Sequence, residues 1–133
     1  VPSEVNAEIA RLLGMPVMIG EWHFGALDAG LPASGIGHVR SQTDRGKAYR
    51  YYLETAAADP NCVGVHYFTL YDQSAIGRFD GEAYQIGFID GCHRRYPEMC
   101  GAARATHEAM YEVADGSRPP FGDLPEYLPK LFV

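Results

Sequence analysis

The chain has little positive charge and no long hydrophobic run, and each shortage argues against a class of protein. Of its 133 residues, 11 are Lys or Arg and 17 are Asp or Glu, with no basic stretch, which argues against a nucleic-acid partner. No apolar run approaches the roughly 18 residues of a membrane span. An initiator Met and a signal-peptide pattern are also missing from its start, so we expect a fragment of a longer protein.

Motifs for metals and cofactors are missing as well. The three cysteines, Cys62, Cys92 and Cys100, are odd in number and form no CxxC pair, which predicts neither a disulfide framework nor a zinc knuckle. Residues 34–37 contain two glycines but no phosphate-binding pattern, and no nucleophile elbow occurs. We therefore expect no cofactor and no metal.

Helix and strand patterns alternate along the chain. They predict a helix over 3–13 with Ser3 as its N-cap, a buried strand over 15–20 that ends in 21–24, a helix after Thr43, a strand over 62–70, and a helix over 97–114. The apolar helix faces expected to be buried are Val5, Ile9, Leu12 and Leu13 on the first helix and Tyr49, Tyr52, Leu53 and Ala56 on the second. This alternation indicates an α/β fold with parallel strands.

Two long polar loops, 25–42 and 71–96, follow the carboxyl ends of the two strands, the edge at which α/β proteins bind ligands. Two strands alone cannot form a stable covered sheet. Either more of the sheet precedes this segment, or several copies associate to complete one.

Glu21 is the strongest candidate for chemistry because it ends a strand that should be buried, where an unpaired carboxylate is costly. It is either a catalytic carboxylate or a structural one paired with Arg45 or Arg78. A weaker alternative is a metal-dependent hydrolase that uses His23 and His66.

Aromatic side chains surround this position in the sequence. Strand alternation places Tyr67 next to Glu21 as one wall of a sugar site, with Trp22 and Phe24 as platforms for the apolar faces of sugar rings. Core packing is the alternative for each ring.

The second loop concentrates charge. Arg78, Asp80 and Glu82 lie close together in the stretch 77–82 and could bond sugar hydroxyls, and the alternative is a loop that is salt-bridged internally.

Three runs of residues resemble a known family. The run PVMIGEWHFG at 16–25 resembles the seventh strand of clan A glycoside hydrolases, in which a glutamate at the strand end is the nucleophile. The runs GVHYF at 64–68 and GRFDGEAYQIGF at 77–88 are similar to the end of the barrel in β-agarases of glycoside hydrolase family 50 and in related β-galactosidase-like enzymes.

The resemblance implies that residues 1–116 are the C-terminal portion, about strands 7 and 8 with flanking helices, of a TIM (β/α)8 barrel, and that 117–133 form an extended tail. It implies a retaining β-glycoside hydrolase acting on a β-galactoside or agar-like glycan, with Glu21 as nucleophile. The implied sugar-binding residues are Trp22, His23, His66, Tyr67, Asp72, Arg78, Asp80 and Glu82.

Two departures from the family limit these expectations. Tyr67 stands where the family often has tryptophan, and the Asn-Glu pair that carries the acid/base residue of the clan does not occur in this sequence. The isolated chain should therefore be nearly inactive without the remainder of the barrel or further copies of itself. The alternative is a non-catalytic segment that self-associates or binds sugar. Localisation stays open, although the resemblance implies a secreted or periplasmic parent enzyme.

Overall fold

The structure is a computed structural model that describes residues 3–129. Its elements are α1 (Ser3–Leu13), β1 (Val17–Trp22), α2 (Gln42–Ala57), β2 (Cys62–Tyr67) and α3 (Pro97–Ala114). The alternation of helices and strands expected from the sequence is confirmed. Residues 1–2 and 130–133, the outer ends of the expected barrel segment and tail, lie outside the described residues.

The strands β1 and β2 pair in parallel and are connected by α2, so the centre of the chain is a βαβ unit. Val17 pairs with Cys62 at one end and Trp22 with Tyr67 at the other, with irregular register between Ile19 and Trp22. Both carboxyl ends therefore meet at one edge of the sheet. The sequence prediction of an α/β fold with parallel strands is confirmed.

The limits of the helices follow from local chemistry. The N-cap of α2 is Ser41, whose hydroxyl accepts a bond from the Asp44 amide, and not Thr43 as the sequence suggested. An Oγ acceptor at this position satisfies an amide that has no partner within the helix. Pro97 begins α3 as predicted, since a first-turn residue needs no amide hydrogen.

An aromatic cluster between the sheet and α2 forms the centre of the core. Trp22 stacks on Tyr52 with ring centroids 4.4 Å apart, and its ring also contacts those of Tyr49 and Tyr67. Leu53 and Ala56 are buried on the same face of α2, as their spacing predicted. Trp22 thus packs on the side of the sheet that faces α2.

The apolar face of α1 departs from expectation. Val5, Leu12 and Leu13 are 54%, 64% and 61% exposed, so the prediction that this face is buried is wrong for the described chain. The buried residue of α1 is Asn6, whose amide donates to the Asp59 carboxylate at 3.1 Å. Nothing within residues 3–129 covers the apolar side of this helix, because α1 contacts little beyond β1.

The segment after α3 lies against α2. Its backbone amide at Phe121 donates to the buried carboxylate of Glu54, which also accepts a bond from the Thr106 hydroxyl of α3 at 2.7 Å. The Arg50 guanidinium sits 4.1 Å from the centre of the Phe121 ring. These contacts hold part of the tail in place without a regular element. No helix of the described part of the chain has the length and apolarity to cross a bilayer.

Candidate functional site

Glu21 lies at the carboxyl end of β1 with its side chain exposed. Within residues 3–129 it forms no ion pair, because Arg45 and Arg78, the two partners considered from the sequence, bond other groups. It borders a cleft of about 290 Å³, and the residues lining this cleft are Glu21, Trp22, His23, Phe24, Ile36, Gly37 and Tyr52. A free carboxylate at the edge of a cleft can act as a nucleophile or a proton acceptor.

A larger groove of about 470 Å³ runs along β2 and the end of α3. Its lining is mainly apolar, with His66 and His107 among the polar members, and it contains no carboxylate. We assign the candidate site to the smaller cleft, because it combines the Glu21 carboxylate with the edge of the sheet where α/β proteins bind ligands.

Tyr67 does not stand beside Glu21 as the alternation of the strand suggested. Its ring packs with Trp22 on the side of the sheet that faces α2, while Glu21, the neighbour of Trp22 along the strand, points to the opposite side. The Tyr67 hydroxyl donates to the Ile86 carbonyl at 2.7 Å. Burial raises the pKa of this phenol, although nearby Arg45 lowers it.

The same packing corrects the expectation for the other two rings. Trp22 and Phe24 are 6% and 9% exposed and belong to the core, so only the edges of these rings border the cleft. Core packing, the alternative open at the sequence level, describes both residues. A platform for a sugar ring needs an open aromatic face, which neither of them offers.

His23 is half-buried beside Glu21, and the loop over residues 34–37 fixes its ring. The Ile36 amide donates to Nε2 at 3.1 Å, so the neutral ring carries its proton on Nδ1. Gly35 has φ +70° and lies so close to this imidazole that a side chain there would collide with it. Burial lowers the pKa of His23, while the carboxylates of Glu21 and Glu82 raise it, with burial prevailing.

His66 is exposed next to Tyr67 on β2 and lines the larger groove, whereas His23 lines the cleft of Glu21. Among residues 3–129 there is no group of three or more His, Cys, Asp or Glu side chains that could hold a metal ion.

Asp72 holds its loop together. One carboxylate oxygen accepts the amides of Ile86 and Gly87 at 3.0 and 2.7 Å, and the other accepts the Tyr96 hydroxyl at 2.6 Å. These bonds occupy the groups that were expected to bind a sugar. We therefore assign Asp72 to positioning the loop.

The other charged residues of this loop bond one another. Arg78 forms ion pairs with Asp80 at 2.9 Å and Glu82 at 3.2 Å, and Gln73 donates to Glu82 at 2.9 Å. This is the internally salt-bridged loop that the sequence left open as an alternative. A role in sugar binding for these three residues stays a prediction.

Arg45 is a site-supporting residue whose role the sequence did not reveal. It is fully buried, and its guanidinium donates to the carbonyls of Phe24 and Gly87 at 2.9 and 2.7 Å and to the Gln42 amide oxygen at 2.7 Å. It thereby joins the end of β1 to the second loop. Its spacing of four residues from Tyr49 was a signal that it lay on the buried face of α2.

Comparison with known proteins relates the segment to polysaccharide-degrading enzymes. Beta-agarase A of Vibrio sp. (strain JT0107) is 42% identical over 97 residues, which are 72% of this chain and 10% of that protein. A solved exo-β-agarase superimposes with a TM-score of 0.79 at 37% identity, over 86% of this chain and 15% of that one. The solved protein PfGH50B gives the same TM-score and identity over 84% of this chain and 16% of its own. No family model matches the chain.

Proposed function

Because this chain is homologous to a segment of the family 50 β-agarases, we propose that it is the nucleophile-bearing, C-terminal part of the catalytic (β/α)8 barrel of a retaining β-glycoside hydrolase. The single observation that carries the proposal is Glu21, an exposed carboxylate at the carboxyl end of a parallel strand that forms no ion pair with the rest of residues 3–129. The chain spans about a tenth of the curated relative that it matches, so the activity belongs to a larger protein.

The open sheet supports a place within a barrel. Within the described residues β1 and β2 pair only with each other, so each strand has an edge without a partner. Unpaired strand edges are normally covered or paired, and a closed barrel pairs every strand. We infer that residues 1–116 contribute about the seventh and eighth strands, that the upstream strands complete the sheet, and that 117–133 form a tail outside the barrel.

In this mechanism Glu21 attacks the anomeric carbon, and the glycosidic C–O bond breaks as the leaving oxygen takes a proton from a second carboxylic acid. Water then cleaves the glycosyl–enzyme ester, with the second carboxylate now accepting a proton. The two carboxyl groups of retaining enzymes stand about 5–5.5 Å apart. The acid comes from outside this segment, because the Asn-Glu pair of the clan is missing and Asp80 and Glu82 are engaged with Arg78.

The substrate that we propose is a β-galactoside within an agar-like glycan, since the relatives are agarases. His23 lines the same cleft as Glu21 and is the residue of this segment best placed to contact the sugar at the cleavage point. For His66, which lines the larger groove, a sugar contact stays a prediction.

A second candidate is a non-catalytic segment that self-associates. Exposed apolar side chains on α1 and β1 favour it, because Leu12, Leu13 and Met18 are each more than half exposed. A second copy or the missing barrel strands would cover the same side chains. A chain that is dimeric or larger in solution and takes up no mechanism-based label would support this candidate.

The test is covalent labelling with a 2-deoxy-2-fluoro-β-galactosyl donor that carries an activated leaving group. Such a donor needs little acid assistance, so the missing acid does not prevent formation of the ester. We expect intact-mass spectrometry to show one adduct, mapped to Glu21 and lost in Glu21→Gln. The matched control, Glu112→Gln, changes an exposed carboxylate on α3 that pairs with Arg118, and this variant should still be labelled.

Co-expression with the upstream region of a related β-agarase tests the barrel. We expect agar hydrolysis to return in the reassembled protein and to be abolished by Glu21→Gln. An adduct on another residue, or hydrolysis that survives Glu21→Gln, would refute Glu21 as the nucleophile.

A further inference from the structure

The turn over residues 76–79 carries two apolar side chains that no other part of the described chain covers. Ile76 is 96% exposed and Phe79 is 98% exposed. Leaving an aromatic ring in water is unfavourable, and packing within the described chain gives no reason for it. Single exposed apolar residues are common on protein surfaces, so exposure alone does not indicate a binding role. The structure of the turn and the groups around the ring provide further evidence.

The turn is braced from within. Arg78 forms its two ion pairs across it, its backbone amide donates to the Glu82 carbonyl at 2.8 Å, and the Gly81 amide donates to the Arg78 carbonyl at 2.9 Å. The backbone at Phe79 is thus held in place, while its ring is left unpacked. A side chain on an ordered turn loses less freedom on binding than one on a turn that must first be ordered.

The surroundings of the ring suit a sugar better than a protein. The Arg78 guanidinium lies 5.8 Å from the centre of the Phe79 ring, with the Asp80 carboxylate next to it. An apolar face edged by hydrogen-bonding ions matches a pyranose, which has one apolar C–H face and hydroxyls at its rim. Two side chains fall far short of the roughly 800 Å² per partner of a standard protein interface.

The root of the same loop borders the Glu21 cleft. The ring of Tyr84 lies 6.3 Å from that of His23, and its edge lies close to Gly35 beside the cleft. Phe79 lies five positions before Tyr84, so their Cα atoms are at most about 18 Å apart. A polysaccharide bound at Glu21 would reach Phe79 within a few sugar units.

We propose that Phe79 stacks on a sugar ring at a distal subsite and thereby favours a polymeric galactan chain over a short oligosaccharide. This inference rests on the proposed function, because it assumes that the glycan bound here is the one cleaved at Glu21. Ile76, three positions before Phe79, is an exposed apolar residue of the same turn.

Affinity electrophoresis of the full chain in native polyacrylamide gels containing agarose tests the proposal. We expect agarose to retard the chain, and Phe79→Ala to weaken its affinity about three- to tenfold, the loss typical of one aromatic contact. Phe79→Tyr keeps the ring and should retain the affinity. Tyr111→Ala is the matched control, since Tyr111 is a 79% exposed aromatic residue on α3 and should not affect retardation.

The proposal is overturned if agarose does not retard the parent chain, if Phe79→Ala is retarded as strongly as the parent, or if Tyr111→Ala loses as much affinity. It is also overturned if Phe79→Ala changes the oligomeric mass on gel filtration, which would make the turn a contact between copies. Labelling of Glu21 is measured separately. If Glu21 is labelled but Phe79→Ala leaves the retardation unchanged, the proposed function stands and only this inference fails.

Discussion

Replacing Asp72 tests whether this carboxylate positions the loop or binds sugar. The Asp72→Ala change leaves the amides of Ile86 and Gly87 without their acceptor, and Ile86 is fully buried. An unpaired buried donor costs about 1–3 kcal/mol, and the bond to the Tyr96 hydroxyl is lost as well. Because such losses are not additive, we expect the free energy of unfolding to fall by about 3 kcal/mol.

Two variants of the same loop serve as controls. Asp72→Asn keeps one oxygen that can accept both amides, so it should cost about 1 kcal/mol. Asp80→Ala removes another carboxylate of the same loop, one that is partly exposed and paired with Arg78. This change should alter the free energy of unfolding by less than about 0.5 kcal/mol.

Urea unfolding followed by tryptophan fluorescence measures these changes. Trp22 is the single tryptophan and is buried in the core, so its emission reports the packing of the sheet against α2. With a slope near 2 kcal/mol per M, a loss of 3 kcal/mol moves the midpoint by about 1.5 M. If Asp72→Ala unfolds at the same midpoint as Asp80→Ala but can no longer be labelled at Glu21, the positioning role is refuted and a sugar-binding role is favoured.

Three further predictions concern stability. Gly25→Ala should lower the free energy of unfolding by about 2 kcal/mol or more, because the added methyl group would collide with the backbone of Ser34. Gly101→Ala, whose methyl group would enter open space on α3, should raise the free energy of unfolding by about 0.5–1 kcal/mol. Thermal melts of the two variants measure both changes. Thr106→Val should cost about 1–2 kcal/mol by removing the hydroxyl bond to buried Glu54, and a melting temperature equal to that of the parent would contradict it. The folded pKa of His23 lies below the ordinary 6.5, so the unfolded chain binds more protons near pH 6, and the free energy of unfolding should fall as the pH drops through about 6.5. The urea midpoints at pH 7.5 and pH 5.5 should therefore differ less in His23→Gln than in the parent chain. An equal difference in the two chains would contradict the lowered pKa of His23.

Local sequence patterns predicted the elements of this fold well. The bounds of α3, Pro97–Ala114, match the proline at its start and the glycine at position 116, and both strands were found as short apolar runs. Periodicity and capping depend on residues a few positions apart, so they can be read from the sequence alone. The position of Glu21 at the end of a strand followed from the same signals.

Tertiary structure decided what the side chains do. The irregular pairing of β1 with β2 turned Trp22 and Tyr67 together towards α2, although simple alternation placed Tyr67 beside Glu21. Asp72 and Arg45 reach bonding partners more than ten residues away, and no local spacing reports such partners. The apolar face of α1 shows the opposite case, because its residues predict burial while nothing within residues 3–129 covers them. Sequence determines which groups are available, and only packing between distant segments determines which of them are left free.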